Sequence, residues 1–253
     1  MYNQKIKIAL AQFDNITKNI DQTISKIEKI IKEASKRNID IVVFPELFLT
    51  GYDLPWIMQK KNNCIFEVDN DYVRLLCKFA KKYIISYIIG LPIRINDEKY
   101  ISALHINSMG EIETIISKNY LYGEEKDFFT PSNEPKIIDI KGFRIGIGIC
   151  FDSAHMQHIL SLKNKGMDMF IGSSLYGKGE GEREMIRNYS EISSNYNILS
   201  AVVNYANKTG EWLSCGNSSF YDCNGMIHKQ LNRGEEMLLV SQIQRDGEMC
   251  KYI

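Results

Sequence analysis

A chain of 253 residues, 44% apolar and 25% charged, has the length and balance of one large globular domain with a substantial core, and residues 1–253 are read as that single domain. Its 31 Lys and Arg match its 31 Asp and Glu, which excludes the bulk charge that draws a protein to nucleic acid or to an anionic membrane. No run approaches the roughly 20 apolar residues of a membrane span, and the opening residues lack the pattern of a signal peptide, so a cytoplasmic location is expected.

In chain order, residues 6–13 (IKIALAQF) predict a buried strand. Ile20, Ile24, Ile27, Ile31 and Ala34 then recur at three- and four-residue spacing, the signature of an amphipathic helix. Residues 39–44 predict a strand covered on both faces and stopped by Pro45. A helix is predicted over 72–83, with Asp69 or Asn70 as its cap, and a strand within 83–93. Residues 100–106 and 112–116 predict a hairpin turning at Ser108-Met109-Gly110; residues 136–140 and 143–149 predict another, turning at Lys141-Gly142. A helix over 156–165 should end at Gly166. A strand (167–171), a helix (183–196) and strands over 198–204, 218–222, 226–230 and 237–243 complete the series, with a turn at Cys223-Asn224-Gly225. Helices alternate with strands before hairpins intrude, which indicates a layered α/β domain with mixed sheets. The stretch 120–133 is long for a structureless loop, and such loops are often functional.

Three positions invite chemistry. Glu46 stands where an apolar strand stops, and the carboxyl ends of strands are where α/β sheets bind ligands. Cys150 ends the run GFRIGIGI, whose alternating Gly146 and Gly148 suggest close approach by another backbone or a ligand. A helix follows soon after, and a strand-to-helix elbow can present a nucleophile beside backbone N–H groups. Lys118 follows the strand at 112–116. Taken singly, each also reads as an ordinary loop carboxylate, buried thiol or surface ammonium. The other cysteines, at 64, 77, 215, 223 and 250, form no C-x-x-C pair and read as buried small hydrophobes.

Taken together, FPELFLTGY (44–52), KNYL (118–121), EKDFFTPSNE (125–134) and GICFD (148–152) resemble, in order and spacing, the nitrilase superfamily of carbon–nitrogen hydrolases, in its amidase-like branch. IKIALAQFD at the start and DCNGMIHKQL (222–231) are similar to the same family, so the resemblance covers nearly the whole chain. It implies an α-β-β-α sandwich of four layers with mixed sheets and a homodimer. It also implies a catalytic triad of Glu46, Lys118 and Cys150, with Glu125 as a second active-site glutamate. The expected activity is hydrolysis of a small amide or N-carbamoyl compound through a cysteine thioester, with no cofactor and no metal. Glu46 would take the thiol proton, Lys118 would favour the thiolate and hold the oxyanion, and the Phe151 N–H would assist. Tyr52, Phe151 and Asp152 are the expected substrate-binding residues. The chain departs from the family where Cys150-Phe151-Asp152 runs on into Ser153-Ala154-His155-Met156-Gln157-His158, without the aromatic–Pro–Glu element many members carry. His155 and His158 open a rival reading as ligands of a metal-dependent hydrolase. A non-catalytic binding protein of the same fold is a second rival. Arg183 and Arg187 are candidates for a substrate carboxylate clamp, beside a prior for solvated helix charges.

Overall fold

The computed structural model describes residues 4–247 and 249–253. β1 (Lys5–Gln12) leads into α1 (Ile20–Lys36), where the Asn19 side chain caps the first turn by accepting the Gln22 N–H at 3.0 Å. The predicted stripe is the buried one: Ile24, Ile27, Ile31 and Ala34 face inward, joined by Thr23 and Ile30. β2 (Ile41–Val43) is buried throughout. After the short α2 (Leu54–Ile57) comes α3 (Asp71–Tyr83), capped by Asn70, whose side chain accepts the Tyr72 N–H. β3 (Ser86–Ile95), β4 (Glu98–Ile106) and β5 (Ile112–Ser117) form an antiparallel meander. β6 (Lys136–Ile140) and β7 (Phe143–Ile149) form the second predicted hairpin. Then follow α4 (Met156–Asn164), β8 (Met169–Ser173), α5 (Glu180–Tyr196) and β9 (Leu199–Val203). The chain continues through β10 (Lys208–Thr209), β11 (Trp212–Leu213), β12 (Ser219–Tyr221), β13 (Ile227–Gln230), β14 (Met237–Asp246) and β15 (Met249–Tyr252).

Two mixed sheets result. The first has the order β15-β14-β1-β2-β3-β4-β5, the second β13-β12-β9-β8-β7-β6. Each has three parallel strands at its centre, β1-β2-β3 and β9-β8-β7, with antiparallel strands outside. The central strands β2, β8 and β9 are buried along their whole length, as strands covered on both faces must be. One core cluster joins α1 and α3 to the first sheet and that sheet to Ile145, Ile147, Ile171 and Val203 of the second. A separate cluster seats Ile159 and Leu162 of α4 and Met185 and Ile192 of α5 against Phe170 and Val202. The layers therefore run α-β-β-α. Among the described residues no helix is long and apolar enough to cross a membrane.

Local differences from the sequence reading have physical reasons. β3 starts at Ser86, because α3 runs through Tyr83 and turns off at Ile84 in the left-handed region. Gly146 and Gly148 make room for neither a ligand nor backbone: a Cβ at Gly146 would meet the Met167 sulfur, and one at Gly148 the Phe170 ring. β10, β11 and β15 were not predicted, being too short to show a period. β15 exists because β14 runs on to Asp246 and offers an edge to pair with. The loop 120–133 holds a 3-10 turn, Gly123–Asp127.

Candidate active site

Glu46 follows β2 on a segment pressed against β3. A Cβ on Gly90 of β3 would lie 2.5 Å from the Leu47 nitrogen and 2.6 Å from the Pro45 oxygen, so the strand must be bare there. The Tyr205 hydroxyl donates to the Glu46 carbonyl at 2.6 Å, and Leu47 takes a left-handed φ of 50°. Lys118 leaves the end of β5, its N–H donating to the Ile101 carbonyl at 2.9 Å. Cys150 is the first residue past β7 and opens a 3-10 turn, Cys150–Ala154. Its φ of 46° is left-handed, a conformation costing a non-glycine residue on the order of 1 kcal/mol. The thiol donates to the Leu175 carbonyl at 3.3 Å, and the Ser153 hydroxyl donates to the Cys150 carbonyl at 2.8 Å.

These elements bring the four charged or nucleophilic side chains together. The Lys118 ammonium donates to Glu46 Oε1 at 2.6 Å and to Glu125 Oε1 at 2.7 Å, and all three residues are buried. Glu125 is fixed in turn: the Tyr52 hydroxyl donates to Oε1 at 2.6 Å and the Tyr122 N–H to Oε2 at 2.8 Å. The second Glu46 oxygen, Oε2, makes no hydrogen bond. Burial pushes the Glu46 carboxyl up to about 7 against the pull of Lys118, with Glu125 adding to the rise. For Lys118, burial works against the charge, but Glu46 and Glu125 outweigh it and hold the ammonium above its ordinary value. Burial, then the Glu46 charge, push the Cys150 thiol well up; Lys118 opposes this, as the sequence suggested, without prevailing. Burial thus disfavours the thiolate at Cys150 and lifts the neighbouring Glu46 carboxyl toward neutrality.

These groups share a cavity of about 220 Å³. Glu46, Lys118, Cys150, Glu125, Tyr52 and Phe151 all line it. Asp152 does not. It lies fully buried behind the wall, accepting the Ile149, Asn119 and Tyr120 N–H groups at 2.9, 3.0 and 2.8 Å. Burial raises it to about 6 against those three donors. Its role as a substrate contact is corrected accordingly: its oxygens are spent on backbone. His155 stacks on Tyr120 at 3.6 Å between ring centroids, and His158 sits among Tyr120 and Phe170, pushed down to about 4 by burial. Among the described residues no group of three or more His, Cys, Asp or Glu side chains is placed to hold a metal ion. Arg183 pairs with Glu180 at 2.5 Å and Arg187 is exposed, and neither lines the cavity. A wider groove of about 960 Å³ lies elsewhere, and none of Glu46, Lys118 and Cys150 reaches it.

Several lining residues escaped the sequence reading, among them Tyr122, Tyr176, Lys178, Glu184 and Trp212. Asn204 was also missed. Its side chain accepts the Tyr176 and Tyr205 N–H groups and donates to the Tyr176 and Gly216 carbonyls, which fixes the segment carrying Leu175.

The family profile described as carbon–nitrogen hydrolase matches residues 7–248. A nitrilase of Pyrococcus abyssi is 30% identical over 170 residues, covering 65% of this chain and 63% of that protein. A glutamine-dependent NAD(+) synthetase of Acinetobacter baylyi is 21% identical, covering 99% of this chain and 46% of its own length. The chain thus spans about half to two thirds of these relatives. Among solved structures, an amidase of Nesterenkonia sp. AN1 superimposes with a TM-score of 0.82 at 22% identity, over 93% of this chain and 90% of that one. The same amidase has been solved with butyramide, and with the acetamide moiety of fluoroacetamide on its active-site cysteine. With the profile running from residue 7 to residue 248 over the sandwich described above, the chain belongs to the carbon–nitrogen hydrolase family.

Proposed function

We propose that this chain hydrolyses the carbon–nitrogen bond of a small, non-peptide amide through a thioester on Cys150. The observation that carries the reading is the Lys118 ammonium bridging Glu46 and Glu125 in the cavity that also holds the thiol. An amide of the Nesterenkonia enzyme's kind, whose acetamide adduct forms on cysteine, is the natural substrate class.

In the first half-reaction Glu46 Oε2, free of other bonds, takes the thiol proton as sulfur bonds to the amide carbon. The carbonyl electron pair moves to oxygen. Lys118 and the Phe151 N–H, at the start of a 3-10 turn where N–H groups lack partners within the turn, receive that charge. The intermediate collapses, the C–N bond breaks, and Glu46 returns the proton to the departing ammonia or amine. In the second half a water attacks the thioester while Glu46 accepts its proton. The C–S bond then breaks and the thiol is protonated again. Glu125 does not need to move a proton; it holds the ammonium in place. Burial suits this scheme, since a thiol kept protonated until a carbonyl arrives reacts only with bound substrate.

Glu46 and Lys118 come from segments after strands of one sheet and Cys150 from the other, which supports reading residues 1–253 as one catalytic domain. Six free cysteines support a reducing, cytoplasmic setting. The test is ammonia release from a panel of amides and carbamoyl compounds, with mass spectrometry for an acyl group on Cys150. Turnover that survives in Cys150→Ala would overturn the proposal.

A further inference from the structure

A second cavity, of about 400 Å³, adjoins the catalytic one and shares three aromatic walls with it: Tyr52, Tyr122 and Trp212. Trp212 meets Tyr52 edge-on at 6.0 Å, yet 45% of Trp212 and 52% of Tyr122 remain open to solvent. Large aromatic faces left open beside a reaction centre are ready contacts for substrate, and their negative π-faces favour a cation.

The charges around them agree. Every charged residue lining the second cavity is acidic: Asp53, Glu124 and Glu211. The catalytic cavity adds Glu180 and Glu184 against Lys178, while Lys118 is already engaged by Glu46 and Glu125. Lys18 offsets Asp53 at 3.2 Å, Arg183 offsets Glu180 at 2.5 Å, and Lys208 stands 3.9 Å from Glu211. Glu124 and Glu184 have no ion-pair partner among the described residues. No arginine lines either cavity among the described residues, so the bidentate grip that a substrate carboxylate would need is missing.

We propose that the substrate is an amide bearing a positive charge remote from the scissile bond, and that its charged end lies in the second cavity between Trp212, Tyr122 and the unpaired Glu124, with the unpaired Glu184 acting on it from the adjoining catalytic cavity. This rests on the reading of Cys150 as the nucleophile. It selects among amides: ω-ammonium amides fit, whereas ω-carboxy amides and N-carbamoyl amino acids bring a carboxylate against carboxylates.

Three amides of equal chain length test it, ending in an ammonium, a methyl and a carboxylate group. The expected order of kcat/KM is ammonium above methyl above carboxylate, with about tenfold or more between the extremes at low salt. High salt should narrow that gap, because rim charges are screened. Glu124→Gln with Glu184→Gln should cut the ammonium-to-methyl ratio by roughly fivefold, as exposed pairs allow. Trp212→Ala should cut it too, and Trp212→Phe restore it in part. A carboxylate amide cleaved as well as the ammonium amide, or a ratio unmoved in the double variant, would overturn the inference. Should none of the three be cleaved, the catalytic reading falls separately. The same series titrated into Cys150→Ala by calorimetry then decides the charge question: tighter ammonium binding upholds it, and equal or weaker binding ends it.

Discussion

Asp152 accepts the Tyr120 N–H at 2.8 Å and so ties the segment that carries Lys118 to the turn that carries Cys150. Its other oxygen accepts the Ile149 N–H, immediately before Cys150. One buried carboxylate thus tethers the segment just after Lys118 to the residue just before Cys150. In Asp152→Asn one carboxylate oxygen becomes an NH₂ group facing a backbone donor. That should cost about 1–3 kcal/mol in urea unfolding. It should also lower kcat more than it raises KM, since Asp152 does not line the cavity. A change confined to KM would return Asp152 to the role of substrate contact.

The Glu46 carboxyl, lifted to about 7 by burial, gives the proposed reaction its pH profile. The base must be ionised to accept the thiol proton, so kcat/KM should fall as pH drops below about 7. Lys118, held above its ordinary value, adds no descending limb near neutrality. Glu46→Gln should lose roughly 10²–10⁴-fold in kcat and flatten the acid limb. Rates measured from pH 5 to pH 9 decide this, and an acid limb surviving unchanged in the variant would assign it to another group.

Glu46, Lys118 and Cys150 were legible because each stands in a short motif at the end of an apolar strand, and strand ends are where such a sandwich gathers side chains, whereas Glu125, in the 3-10 turn Gly123–Asp127, was legible from its motif alone. Tyr52 was legible for the same reason, two motif positions past Leu49-Thr50. Asp152 was misread since its sequence neighbours, Cys150 and Phe151, do face the cavity. Only the reversal of the 3-10 turn sends it backward. Trp212 and Glu184 carried no signal. Trp212 sits in a two-residue strand and Glu184 in a charged helix turn, and their meeting depends on contacts between remote segments.

Gly90 offers a test of how tightly Glu46 is seated. In Gly90→Ala the new methyl would press on the Leu47 nitrogen and Pro45 oxygen, both backbone atoms that cannot rotate away. Overpacking of this kind costs about 1–3 kcal/mol. Relief requires the segment carrying Glu46 to move, so kcat should fall even where the variant remains folded at assay temperature. Circular dichroism melting beside steady-state rates separates the two effects. A variant with wild-type kcat would mean that Glu46 tolerates displacement.

His158 should record the energetic cost of burying an imidazole. Burial pushes it down to about 4, with the Ile147 carbonyl opposing, whereas an unfolded chain restores about 6.5. The folded value is the depressed one, so between these limits the unfolded state binds the extra proton. The stability this residue allows is complete above about pH 6.5 and is lost as pH falls toward 4. Asp152 and Glu46, raised instead of lowered, act in the opposite sense over overlapping ranges, so the wild-type curve alone is ambiguous. The difference from His158→Phe is not. A phenyl ring can keep the edge-on contacts to Tyr120 and Phe170, each at 6.4 Å, and carries no proton to lose. Relative to wild type, the variant should gain on the order of 2 kcal/mol between pH 7.5 and pH 5 in urea unfolding. A constant difference across that span would mean that His158 titrates alike in both states, and that its burial carries no such penalty.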